Sequence, residues 1–395
     1  MALIDIPLDR ITEQDLAGLI EAAAPESLYI DYKRQSYGDK ESDHAEFLAD
    51  LSSFANTAGG DVIIGMIENK GAPTKIAPLT GNADDEQRRL EAIARTGLEP
   101  RIRNLHVRAI PISAGGYVLI VRAPRSYLPP HRVTYRGRNR FWARASSGKY
   151  EPNVEELRHL FNEAPNLAER VRLFRQDRIT RILSGETPIP LAQGAKIVLH
   201  VVPLPSFSDN RLVDIVSILA AGTHVPLPLD GPGGLNQQGV NLDGYVNYAD
   251  NLSGSGWTYG QLFRSGIIEG VTDLERRQGD GAAYLIGNVV AEKIVVALRQ
   301  YLSVLKSLDA GMPVYAFISL CSTVPYYFRH GVVIGHQDAG PLVRQTLSLP
   351  EVIIDSDAAD VPALLRPAFN VLWNAFGFLR CDIYDSHGRW RGTGP

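Results

Sequence analysis

The sequence predicts two domains, each mixing helices with strands. Three observations lead there: a length of 395 residues, ordinary apolar and charged contents of 45% and 21%, and a change of texture after residue 165. A chain this long exceeds one ordinary core, since domains run at roughly 150 residues each. Its composition is globular, neither disordered nor fibrous. Between residues 165 and 190, charged helical sequence gives way to the Gly- and Pro-bearing "SGETPIPLAQGAK". The expected domains are therefore 1–175 and 190–395.

In the first domain, Thr12 with Asp15 three residues on forms a capping-box pattern, and Leu16, Leu19 and Ile20 follow at helical spacing. Pro25 stops that helix. Leu28, Ile30 and Tyr32 then alternate with Tyr29, Asp31 and Lys33, the period-two pattern of a half-buried strand. A second helix begins near Ser42 or Asp43, carries the stripe Phe47, Leu48, Leu51, Phe54 and Ala55, and ends at "NTAGG". "DVIIGMIE", Asp61 to Glu68, reads as one central strand. "DDEQRRLEAIARTGL" and "NVEELRHLFNEA" read as helices, and "HVRAIPI", "GYVLIVRA" and "RFWARAS" as strands.

Beyond residue 190, the strands "KIVLHVVP", "VYAFISL", "GVVIG" and "EVIID" are interspersed with helices at Leu212 to Leu219, Ala282 to Leu305 and Val361 to Phe376. That succession predicts a second α/β domain.

The formal net charge of −4 gives no global attraction to polyanions, so nucleic-acid affinity has to come from local charge. Two cysteines exclude a disulfide framework and a four-cysteine zinc site. The opening "MALIDIPLDR" lacks a signal-peptide pattern, and no window approaches the length of a membrane span. A cytoplasmic protein with no membrane partner is expected.

The stretch "ESLYIDYK", Glu26 to Lys33, is where chemistry is expected. On a strand, Asp31 and Lys33 project from one face, roughly 7 Å apart. A carboxylate that holds Mg2+ or Mn2+ beside an ammonium that offsets phosphate charge suits phosphodiester cleavage. Such ions usually need more than one protein carboxylate. Glu26 can join Asp31 only if the chain turns between them, and Glu68, ending the apolar strand, is the other candidate. A solvated surface ion pair is the bland reading of the same residues.

Three blocks in order, "ESLYIDYK", "FANTAGGDVIIGMIENKG" and "FWARASSGKYEPNVEELRHLF", resemble the signature blocks of the Schlafen-type AlbA-like domain family, also described as divergent ATPase-like or DNA-binding. The resemblance covers about residues 10 to 165. It implies an AlbA-like α+β domain with helices packed on a mixed sheet. It also implies a three-carboxylate, metal-dependent site that cleaves tRNA and rRNA, with Glu26, Asp31 and Glu68 at the matching positions and a place in antiviral defence. The family more often has glutamate at Asp31 and aspartate at Glu68, so charge is kept with reach exchanged. The structural zinc ligands of animal Schlafens have no counterpart here.

From Arg122 to Lys149 the chain carries Arg122, Arg125, Arg132, Arg136, Arg138, Arg140, Arg144 and Lys149 with no acid among them before Lys149. Tyr127, Tyr135, Phe141 and Trp142 are interleaved. That mixture suits a phosphate backbone and unpaired bases. Asn56 of "FANT" is read either as positioning backbone near the site or as a helix-terminating residue.

No G-x-x-x-x-G-K-[ST] loop occurs, which argues against ATPase activity. His330 and His336, at the ends of an expected strand, are too far apart for one zinc ion unless the chain folds back, and read as ordinary structural histidines. "PLDGPGG" and "GDGAAYLIGN" read as tight turns, and the second domain as a sensor, regulatory or dimerisation module. The expectation is a metal-dependent endoribonuclease acting on structured RNA such as tRNA, with Lys33 offsetting phosphate charge and the basic stretch holding the RNA. A non-catalytic DNA-binding regulator is the alternative, and a protein scaffold a third class. A homodimer is a further expectation.

Overall fold

The computed structural model describes residues 3, 6–207, 212–221, 225–231, 236–250, 256–274, 283–323, 326–329, 342, 344–356 and 358–392. The chain divides into two units, Met1–Ala168 and Glu169–Pro395.

In the first unit, α1 (Glu13–Glu21) opens where the Thr12 amide and hydroxyl both donate to Asp15 Oδ2, at 2.8 and 2.7 Å. β1 (Ile30–Lys33) sends Ile30 and Tyr32 into a small core with Leu16, Leu19, Ile63 and Ile120, leaving Asp31 and Lys33 on the opposite face. α2 (Glu41–Ala55) buries Phe47, Leu48, Leu51 and Phe54 in a second core with Val62, Leu119 and Val121.

After α2, Gly59 takes φ +75°, and any Cβ there would stand 2.6 Å from the Arg125 amide. Only glycine permits this turn into β2 (Gly60–Ile64). The single strand expected over Asp61 to Glu68 is interrupted: Gly65, at φ +105°, redirects the chain into β3 (Met66–Asn69), which pairs with β4 (Ala72–Ile76) instead. Glu68 therefore sits on a hairpin rather than at the end of the central strand.

α3 (Ala83–Gly97) is capped by Asn82, whose side-chain Oδ1 accepts from the Asp84 amide at 2.9 Å. There follow β5 (Leu98–Glu99), β6 (His106–Pro111), β7 (Tyr117–Ala123), β8 (Arg132–Val133), β9 (Arg140–Phe141), β10 (Ala143–Ala145) and β11 (Gly148–Tyr150). The central sheet has the order β1-β2-β7-β6 and is mixed, since β1 and β2 are parallel and the other pairs antiparallel. Its two faces carry the two cores, as the alternation of Val62 and Ile63 shows. "RFWARAS" is two strands, β9 and β10, with Trp142 between them. α4 (Val154–Ser184) runs through Pro165, and the division between units falls within it.

The second unit begins on the last turns of α4 and continues with β12 (Lys196–Pro203), α5 (Ile215–Ala221), β13 (Asn236–Val240), β14 (Gly244–Asp250), β15 (Gly256–Phe263) and β16 (Ile268–Asp273). Then come β17 (Ala283–Ile286), α6 (Gly287–Ser307), β18 (Val314–Cys321), β19 (Tyr326–Arg329), β20 (Thr346–Ser348), β21 (Val352–Ile354) and α7 (Val361–Asn374).

Its main sheet runs β13-β14-β15-β16-β12-β18-β20, with β21 also on β18, and its pairings are antiparallel. One face packs on α6 and α7 through Ile294, Leu298, Leu365 and Phe369. The other face packs on Ile179 and Ile182 of α4. Of the helix expected over Ala282 to Leu305, Ala283–Ile286 is β17 and the helix begins at Gly287, with Ala282 outside the described residues, and the meander β13 to β16 is additional to the strands read from sequence. The strand expected in "GVVIG" and His330 and His336 lie outside the described residues, as do parts of "PLDGPGG" and "GDGAAYLIGN".

A buried ionic network crosses this second face. Glu269 of β16 accepts from Arg178 Nε and Nη2 at 2.8 Å each and from the Tyr259 hydroxyl at 2.8 Å, and stands 2.9 Å from His200 Nε2. Among the described residues no helix is long and apolar enough to cross a membrane.

Candidate functional site

The chain does turn between Glu26 and Asp31. The Ser27 amide donates to the Ile30 carbonyl at 3.1 Å, and Glu26 Oε1 reaches back to accept from the Tyr32 amide at 3.1 Å. Gly71, in the β3–β4 turn, ties the second acid to the first: its carbonyl accepts from the Glu26 amide at 2.7 Å, and its own amide donates to Glu68 Oε2 at 2.6 Å. Burial raises the Glu26 carboxyl above the usual range, with further upward pushes from Asp31 and Glu68, while the Tyr32 hydrogen bond and Lys33 oppose them.

Asp31 is differently placed. Its Oδ1 accepts from Arg144 Nη2 at 2.7 Å and its Oδ2 lies 2.6 Å from Lys33 Nζ. Burial would raise its carboxyl, but Lys33 and Arg144 outweigh it and hold it below the usual range. The Arg144 guanidinium also donates to the Ser27 carbonyl at 3.0 Å and lies 4.3 Å from the Phe54 ring centroid, so it is locked into the core.

A carboxylate that sequence reading missed completes the cluster. Asp50, on α2, is buried, accepts from the Tyr37 hydroxyl at 2.7 Å and from Lys149 Nζ at 2.7 Å, and stands 3.8 Å from Lys33 Nζ. Burial raises its carboxyl while Lys149 and Lys33 pull it down. The signal was present: Asp50 falls three residues after Phe47 and four before Phe54, on the apolar face of the helix. Lys149 extends the network to Glu46 on the same helix.

The basic stretch is more neutralised than its sequence suggests. Seven of the eight cations pair with a carboxylate: Arg122 with Asp61, Arg125 with Glu163, Arg132 with Glu99, Arg136 with Glu41, Arg140 with Glu151, Arg144 with Asp31, and Lys149 with Glu46 and Asp50. All these acids but Glu151 and Glu163 precede the stretch, and none lies within it before Lys149, so a window of sequence could not see the pairing.

Arg122, bidentate to Asp61 and bonded to the Leu3 and Ile6 carbonyls, is a structural residue, as is Arg144. Arg132, Arg136 and Arg140 differ, with side chains 38% to 67% exposed and pairs of the kind that water and salt readily exchange. Arg138 is exposed and has no carboxylate partner among the described residues. These four arginines lie on the hairpin formed by β8 and β9.

Asn56 fixes the base of that hairpin. Its Oδ1 accepts from the His131 amide at 2.6 Å, and its Nδ2 donates to the His131 and Trp142 carbonyls at 3.0 and 2.9 Å. Thr57 Oγ1 accepts from the Arg144 amide at 2.9 Å. The "FANT" residues thus position backbone on the arginine-bearing segment.

Among the described residues no group of three or more His, Cys, Asp or Glu is arranged to hold a metal ion. Glu26 and Glu68 each have one oxygen engaged by a backbone amide, and Asp31 has both engaged by cations. In this arrangement a magnesium or manganese ion at Asp31 would compete with Arg144 on Oδ1 and Lys33 on Oδ2, while Glu26 and Glu68 each keep one oxygen not held by a backbone amide.

The mixed sheet with its packed helices, and Glu26 and Glu68 tied together through Gly71, can be set beside known families. Residues 26–153 match the Schlafen, AlbA_2 family model. The matched stretch is about a third of the chain, and the match supports a nucleic-acid-related function in general. Solved structures similar to the chain include the DIP2311 protein from Corynebacterium diphtheriae, at 15% identity and a TM-score of 0.27 over 38% of this chain and 28% of that one. Another is the N-terminal domain of a RecG-related protein from Nitrosomonas europaea, at 22% identity and a TM-score of 0.23 over 29% of this chain and 74% of that one. No curated protein matches the chain.

Proposed function

We propose that the Schlafen AlbA_2 domain binds nucleic acid through the arginine hairpin. The observation that carries this is the exposed set Arg132, Arg136, Arg138 and Arg140 on one rigidly based hairpin, next to a half-buried tryptophan. Their carboxylate pairs are surface pairs, worth little in water, so phosphate oxygens can take the acids' place.

The double substitution Arg132→Gln, Arg136→Gln is expected to weaken binding to RNA and DNA alike. The slope of log affinity against log salt should fall by about 0.7 to 0.9 for each phosphate contact removed. Anisotropy titrations across a salt series read it, and an unchanged slope would overturn the assignment.

A second reading has one observation in its favour: Glu26 and Glu68 are both anchored on Gly71 beside Asp31 and Lys33. On this reading the domain is an endoribonuclease for structured RNA such as tRNA, dependent on Mg2+ or Mn2+. Its carboxylates are Glu26, Asp31 and Glu68, and Lys33 offsets phosphate charge. It requires Asp31 to be released from Arg144 or Lys33.

Incubation of labelled tRNA and duplex DNA with Mn2+ or with chelator separates the two readings. RNA fragments made only with metal support the nuclease; intact nucleic acid under both conditions leaves binding alone. Glu26→Gln sharpens the test. Because burial and neighbouring acids raise the Glu26 carboxyl, its ionised form opposes folding above its folded pKa. The substitution is expected to leave Tm unchanged or slightly higher at pH 7, while abolishing any metal-dependent cleavage. Undiminished cleavage would sink the nuclease reading.

A further inference from the structure

Between α2 and the arginine hairpin lies a cleft of about 230 Å³, lined among others by Ala45, Glu46, Ala49, Arg138, Arg140 and Trp142. It is smaller than a drug-sized pocket and has room for one ring system rather than a chain. Ala45 and Ala49, four residues apart on α2, make a wall with almost no side-chain relief. Trp142 packs against the second core and is half-buried, so part of its indole remains for the cleft. Arg138 and Arg140 both line this space, Arg140 with its guanidinium on the exposed Glu151 and Arg138 without a carboxylate partner among the described residues.

Small apolar wall, indole and paired guanidiniums are the chemistry that takes an unpaired base together with its phosphate. Glu46 adds a hydrogen-bond acceptor: Lys149 holds its Oε1, leaving Oε2 for an N–H of a base edge.

We propose that this cleft is a subsite for a single unpaired nucleotide, with the base against Trp142 and the phosphate on Arg138 and Arg140. The proposal rests on the nucleic-acid-binding reading above and adds to it a preference for single-stranded or looped substrate. Lys149 joins the cleft to the buried cluster, since it bridges Glu46 to Asp50, which faces Lys33 and through it Asp31.

The test uses the full chain and two fluorescein-labelled probes, an unpaired RNA octamer and a blunt duplex of the same strand. Trp142→Leu and Arg138→Gln are each expected to weaken the octamer about tenfold, as loss of a stacked base or a phosphate contact does, and the duplex by no more than about twofold. Trp142→Phe, which keeps a ring, should restore most of the octamer affinity. Arg138 is exposed and bears on no packing, so its variant stays informative even if Trp142→Leu disturbs the fold. Equal weakening of octamer and duplex by Arg138→Gln, or no weakening of either, overturns the subsite. If the Arg132, Arg136 double variant loses affinity while the Trp142 and Arg138 variants do not, only the subsite fails. If the unaltered chain binds neither probe, the binding reading fails with it.

Discussion

Arg144→Met is expected to destabilise the first unit by about 3–5 kcal/mol, the usual cost of leaving one partner of a buried ion pair uncompensated. The side chain is 1% exposed, and it supplies Asp31 Oδ1 with its 2.7 Å hydrogen bond while also bonding the Ser27 carbonyl. Methionine fills much of the volume and retains contact with Phe54, so the loss is chiefly electrostatic. Asp31 would keep only Lys33, whose side chain is 29% exposed and whose ammonium also faces Asp50. Urea denaturation reads the change. The double variant with Asp31→Asn should cost clearly less than the sum of the two singles, because no orphan charge remains. Additive losses would show that Arg144 and Asp31 act independently, contrary to the geometry.

The second large effect lies in the second unit. Glu269 is fully buried, and although burial opposes its ionisation, hydrogen bonds from Arg178 and His200 and the accompanying charges pull its carboxyl down from 4.5 to about 2. A depressed folded pKa means stability that is present in full above the unfolded value and is lost as pH falls through the folded one. The window therefore runs from about pH 4.5 down to about pH 2, and the contribution is on the order of 3 kcal/mol. Glu269→Gln is expected to cost about that much or more at pH 7, since it also leaves Arg178 buried without its carboxylate. Its penalty relative to the unaltered chain should shrink as pH falls below 4.5. A penalty independent of pH would place the effect in packing instead.

The parts of the fold that were legible are local ones. Thr12 and Asp15 are three residues apart and cap α1 through bonds to each other. The alternation in β1 sorts Ile30 and Tyr32 from Asp31 and Lys33, and each pair lands on the face that period two assigns. That Glu26 needs a turn to approach Asp31 also follows from strand geometry alone, and the turn is there.

What was hidden depends on conformation or on distant partners. Gly65 offers no side-chain signal, yet its positive φ splits one apolar run and carries Glu68 onto a hairpin. That some of the basic stretch pairs with acids elsewhere in the fold was foreseeable, but which acids was not, because most of them, Asp31, Glu41, Glu46, Asp50, Asp61 and Glu99, come earlier in the chain. In the second unit, β14 to β16 place Asn247, Thr258, Gln261 and Glu269 inside, so no apolar alternation marks them as strands. Glu269 is tolerated there only because Arg178, His200 and Tyr259 satisfy it.

β12 lies between β16 and β18, and all eight of its residues are buried. During synthesis one edge of "KIVLHVVP" can be covered once Asp273 has emerged from the ribosome, but the other waits until Val314–Cys321 follows. For that interval a nascent chain exposes an apolar strand with unpaired amides and carbonyls, the kind of edge that recruits other strands. Translation stalled in α6 would thus leave the polypeptide prone to intermolecular pairing, and shielding by a holdase chaperone would matter most over that stretch.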